Sequence, residues 1–87
     1  MKIKKGFVVR KVGGECVAVP TGEMSKNFHG MINLNGTGGF LWNFYCEEHS
    51  VDEGVAALLA EYDVEESVVR ADVERFVEIL LKNGFAE

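Results

Sequence analysis

Only one proline, Pro20, interrupts the 87 residues, and no apolar run approaches the ~20 residues needed to span a bilayer. With 47% hydrophobic residues beside that single proline, a disordered tail is excluded. Basic residues are scarce: nine Lys and Arg stand against 14 Asp and Glu, for a net charge of −5 and a pI near 5.0. Nucleic-acid binding rests on neutralising phosphates with Lys and Arg, so nucleic acid is not the expected partner. A basic or mixed-charge protein partner fits better. Cysteine is scarce too. Cys16 and Cys46 fall on different expected elements and read as reduced thiols of a cytoplasmic protein, with a disulfide as the minority alternative. The basic start Met1-Lys2-Ile3-Lys4-Lys5 is followed by an alternating strand pattern rather than an apolar secretory core. The length suits one domain, residues 1–87, with a small core.

What is present is organised around residues 31–45. Ile32 and Leu34 read as a short strand, whereas Phe40, Leu41, Phe44 and Tyr45 share one face of a helix. Between them lies Asn35-Gly36-Thr37-Gly38-Gly39, where Asn35 or Thr37 can cap the helix. Gly38 and Gly39 are expected to allow close approach at the bend and to tolerate bulk poorly.

Upstream, residues 7–12 (FVVRKV) and 15–20 (ECVAVP) read as strands joined by Gly13-Gly14, a two-residue hairpin turn. Direct pairing sets Val8 opposite Val19 and Val9 opposite Ala18. Both faces are fairly apolar, so alternation does not decide which one meets the helices. Thr21-Gly22-Glu23 reads as a turn and residues 24–27 as a polar loop. Residues 28–34 read as a third strand with an irregular point at Gly30. Downstream, a first helix runs over about 38–46. Ser50-Val51-Asp52-Glu53 is a capping box for a second helix ending near Tyr62. Asp63 repeats the capping logic for a third helix to about Asn83, and Gly84 suits a left-handed C′ position. The apolar arc of this last helix holds Val68, Val69, Val73, Phe76, Val77, Ile79 and Leu80. It is wider than the ~100° stripe of a surface helix, which leaves apolar width for a second helix or a ligand. The fold class is α+β: a three-stranded antiparallel sheet followed by three helices on one side. Phe40, Leu41, Phe44, Leu58, Phe76 and Leu80 are the expected core, and Trp42 is expected to close it against the last helix, with the edge of a binding groove as the alternative.

Catalytic chemistry is sparse. Cys16, Cys46, His29 and His49 offer no convergent nucleophile, base and orienting group. Cys46 and His49 make one C-x-x-H pair with no second pair for zinc. The loop at 36–39 lacks the third glycine of a dinucleotide fingerprint and the Gly-Lys-Ser/Thr of a P-loop. Glu66 with Arg70 and Glu78 with Lys82 read as i,i+4 pairs on a solvated face. Neither enzyme activity, nor metal, nor cofactor is expected.

Leu34-Asn35, Thr37-Gly38 and Leu41-Trp42 together resemble the LN-x-TG-x-x-(I/L)W signature of the PQQ biosynthesis protein D family. Ser50-Val51-Asp52-Glu53, Tyr62, Asp72-Val73, Phe76, Leu80-Leu81 and Gly84 fall where that family has its capping box and helical positions. The likeness runs from about Phe7 to Phe85 and departs at Gly36, where the family often has Glu. The resemblance implies a winged-helix-like fold without catalysis. Such a protein holds the leader of a ribosomally made precursor peptide and presents the core to a modifying enzyme, often a radical SAM protein. The leader would add as a strand beside Met31, Ile32, Asn33 and Leu34. The helix wall would come from Val69, Asp72, Val73 and Phe76, with Arg70 or Arg75 at its margin. The alternative is a winged-helix DNA-binding module, against which the acidic balance counts. An open sheet edge that pairs with its own copy leaves a homodimer as a further option.

Overall fold

Gly13 (φ 60°) and Gly14 (φ 85°) both take positive φ, the backbone of a type I′ turn. They join β1 (Phe7–Val12) to β2 (Glu15–Pro20), with Val8 opposite Val19 and Val9 opposite Ala18 as expected. On the far side of β2 lies β3 (Ile32–Asn33), Ile32 against Ala18 and Asn33 against Val17. The strand order is therefore β1-β2-β3, antiparallel throughout. The computed structural model describes residues 1–27, 30–34 and 36–87. Phe28, His29 and Asn35 lie outside the described residues, and with them the expected start of the third strand, one candidate histidine and one candidate cap.

The pleat resolves the ambiguity between the two sheet faces. Phe7, Cys16, Ala18, Ile32 and Leu34 pack on the helical layer, with Ala18 fully buried, while Val8 and Val12 are exposed on the other face. Two expectations change. The third strand is two residues long, and residues 22–27, expected as turn and loop, form α1 (Gly22–Asn27). Six residues with no apolar repeat carry no helical period, so nothing in the sequence announced α1.

The remaining helices are α2 (Gly38–Phe44), α3 (Val51–Glu61) and α4 (Glu66–Lys82). The capping box of α3 is complete. Glu53 N–H donates to Ser50 Oγ at 3.1 Å, and Ser50 N–H donates to Glu53 Oε1 at 2.8 Å. Thr37 occupies the N-cap of α2 without a side-chain bond. The N-cap of α4 is Glu65 rather than Asp63, because Tyr62 leaves α3 in an extended conformation that carries the chain past Asp63. At the other end of α4, Gly84 takes φ 76°. Phe85 N–H donates to the Leu80 carbonyl at 2.8 Å and Gly84 N–H to that of Leu81 at 3.1 Å, a Schellman motif. The chain then returns to pair with its own beginning: Ile3 bridges Ala86, and Lys4 N–H donates to the Phe85 carbonyl at 2.9 Å.

Leu41, Trp42, Tyr45, Val55, Leu58, Val69, Val73 and Leu80 close on Ala18 and Leu34 to form the core. Trp42 is buried and meets Phe7 edge-on at 5.2 Å. Of the expected core, Leu41, Leu58 and Leu80 are buried, whereas Phe40, Phe44 and Phe76 lie half-buried at its margin. The close-approach glycine is Gly54. A Cβ there would lie 3.0 Å from Tyr45 Cζ and nearer still to the hydroxyl oxygen, which donates to the Ser50 carbonyl at 2.8 Å. A Cβ on Gly38 or Gly39 would meet nothing nearer than 3.6 and 3.9 Å respectively, so the junction tolerates a methyl group.

Candidate functional site

Two rows of side chains run along α4, one wholly apolar and the other apolar except for Asp72. Val69, Val73, Val77 and Leu80 follow the i, i+4, i+8, i+11 stripe into the core. One step round the helix, Val68, Asp72, Phe76 and Ile79 form a second row, with Val68 54% and Ile79 49% exposed. The extra apolar width expected of the last helix is this second row. It faces a groove of about 210 Å³. Asp72, Arg75, Phe76 and Ile79 line it from α4, Asn33 from β3, and Thr37, Gly38 and Leu41 from the junction and α2.

The edge of β3 is the other half of the site. Leu34 N–H donates to the Cys16 carbonyl at 2.8 Å. Bonded and non-bonded pairs alternate in an antiparallel ladder, so Ile32 is the next residue bonded to β2. The N–H and C=O of Asn33 therefore point away from the sheet. Among the described residues no strand covers them.

The expected site residues divide accordingly. Met31 (60% exposed) and Asn33 stand on the open edge, and Asp72 and Phe76 line the groove. Ile32 and Leu34 turn their side chains into the helical layer and spend their backbone bonds on β2. Val69 is buried and Val73 is 0% exposed, so neither forms the helix wall proper. A helix wheel gives the apolar arc of α4 but not which part of it the sheet covers. Arg70 faces α3, where its Nη1 donates to Asp52 Oδ1 at 2.8 Å. That bond, with the Asp52 charge, raises its pKa. Thr37, Gly38, Leu41 and Ile79 also line the groove, outside the expected set. The available signal for Ile79 was its spacing, on the stripe of Asp72 and Phe76.

Asp72 Oδ1 lies 3.9 Å from Arg75 Nη1, an exposed pair that water screens strongly and that a ligand charge can open. The groove offers backbone donors and acceptors, apolar wall and one exchangeable ion pair. Apart from Arg70, the perturbed ionisable groups among the described residues sit elsewhere, at the α2–α3 connection. Burial and then the Glu53 charge raise the Tyr45 pKa, burial and then Glu47 raise that of Cys46, and the Ser50 N–H lowers that of Glu53. Among the described residues no three His, Cys, Asp or Glu side chains are grouped to hold a metal, and no helix is long and apolar enough to cross a membrane.

Residues 15–86 match the family model described as coenzyme PQQ synthesis protein D. No curated protein matches the chain. Among solved structures, the chain is similar to TbiB1 in complex with the TbiA(beta) leader peptide, with a TM-score of 0.73 and 25% identity over 100% of this chain and 95% of that one.

Proposed function

This chain belongs to the coenzyme PQQ synthesis protein D family, and from that premise we propose that it is a non-catalytic recognition element for a ribosomally made precursor peptide. Residues 1–87 act as one domain that binds the leader by strand addition and presents the core to a modifying enzyme, with a radical SAM protein as the partner class. The observation that carries this reading is the open edge of β3 facing the second row of α4, in a chain similar to a protein solved with its leader peptide.

The edge is short, so the division of labour follows from magnitudes. Each main-chain hydrogen bond contributes a net ~0.5–1.5 kcal/mol. Each apolar side chain fully buried against the groove contributes ~1.5–3 kcal/mol. Met31 and Asn33 can pair only a few peptide groups, so they set register, while Phe76 and Ile79 supply most of the affinity. An affinity in the micromolar range, about −8 kcal/mol, follows for so small an interface. Antiparallel addition is favoured because the sheet is antiparallel throughout.

The test is an NMR titration of labelled protein with the leader of a precursor encoded beside this gene. Amide shifts are expected at residues 31–34 and 72–79, and Ile79→Glu should abolish them while circular dichroism stays unchanged. N-methylation of alternate peptide residues should do the same. Shifts confined to α3 and the Gly13-Gly14 hairpin would overturn the groove, and equal shifts with plain duplex DNA would overturn the peptide reading.

A further inference from the structure

Beyond Asp72 the groove does not stop. Thr37 and Asp72 also line a second cavity of about 90 Å³, walled by Leu58, Tyr62, Val64 and Val68 where α3 hands over to α4. Tyr62, Val64 and Val68 are all exposed large apolar residues, and Val68 continues the row of Asp72 and Phe76 by one turn. We infer that this cavity is a specificity compartment for one aliphatic side chain of the peptide, lying N-terminal to the stretch that pairs with β3. The inference rests on the peptide reading above and adds the motif that the peptide must carry.

Size argues for an aliphatic group, since an apolar cavity that holds benzene is larger, about 150 Å³. Direction follows from the strand. Thr37 lies past the C-terminal end of β3, and the residues of an antiparallel strand that reach this end are its N-terminal ones. Charge sets the neighbour. Glu61, Asp63, Glu65 and Glu66 are exposed around Tyr62 and Val64, and no Lys or Arg occurs from residue 51 to 69. A Lys or Arg beside the aliphatic residue therefore complements this end of the groove. Further along α4, Arg75 favours an acidic residue in the paired stretch.

Panning a phage-displayed library of random linear peptides on the full chain tests the inference. Enriched peptides should share Leu, Ile, Val or Met at one position, N-terminal to the paired stretch, with Lys or Arg beside it. Val64→Glu and Val68→Glu change exposed residues. Each should weaken such peptides about tenfold, the scale of losing one buried side chain, and panning on either variant should lose the aliphatic preference. Peptides that shift the amides of Asn33 and Ile79 but show no aliphatic position and bind Val68→Glu as tightly as wild type would overturn the compartment and leave the strand-addition site standing. If no enriched peptide shifts Asn33, strand addition itself fails, and the compartment with it.

Discussion

Gly54→Ala is the sharpest probe of how this small core is assembled. In an exposed helix the change would stabilise by about 1 kcal/mol through helix propensity. Here the new methyl group would lie 3.0 Å from Tyr45 Cζ and 3.2 Å from its Cε2, against a ring that is 0% exposed and cannot swing aside. Overpacking of this kind costs ~1–3 kcal/mol. Moving the ring also loosens the 2.8 Å bond from its hydroxyl to the Ser50 carbonyl, worth ~0.5–1.5 kcal/mol. The losses exceed the propensity gain, for a net destabilisation of about 1–3 kcal/mol, or roughly 5–20 °C in melting temperature for a domain of this size. Thermal melts followed by circular dichroism measure it, with Gly39→Ala as control, since a Cβ there finds only ordinary contacts and should leave the melt unchanged or slightly raised. In a Tyr45→Phe background the Gly54→Ala penalty should shrink, because the most crowded atom is gone. A Gly54→Ala protein that melts at or above wild type would refute the claim that Tyr45 packs into the space left by this glycine.

Other predictions follow from the same geometry. Val73→Glu puts an unpaired carboxylate at a 0% exposed position and should cost several kcal/mol, a large part of the ~5–15 kcal/mol of a typical domain, so amide dispersion should collapse; Ile79→Glu should melt within about 0.5 kcal/mol of wild type while losing peptide. Glu53 has a folded-state pKa below its ordinary value of 4.5, chiefly from the Ser50 N–H bond and then from His49. Its stabilising effect is therefore present above the unfolded pKa and lost as pH falls through the lower folded one. The melting gap between wild type and Glu53→Ala should be full at neutral pH and close below pH 4.5; a gap that persists at low pH would contradict the capping role. Gly84→Ala forces a side chain into φ 76° and should cost about 1–2 kcal/mol by urea titration.

Tight local chemistry was legible in the residues themselves. Gly13-Gly14 sets both the turn and the register of β1 and β2, because two adjacent positive-φ residues fix the hairpin. Ser50 with Glu53, and Gly84, mark helix ends through bonds that span only a few residues. The motif around Leu34 and Trp42 carried the family, and the edge at Met31 and Asn33 carried half of the candidate site. What the residues could not settle lay on α4. Val73 and Phe76 are neighbours on its apolar arc, yet one is sealed in the core and the other lines the groove. Periodicity reports that an arc is apolar, whereas its division into a packed half and an open half depends on how far β3 and α2 extend over it. Arg70 likewise reads as the partner of Glu66 on its own helix until Asp52 of α3 is brought beside it. Gly54 looks like an ordinary helix-weakening residue until Tyr45 fills its place. These assignments rest on contacts between residues distant in the chain, which the close packing of a small core decides and no local pattern encodes.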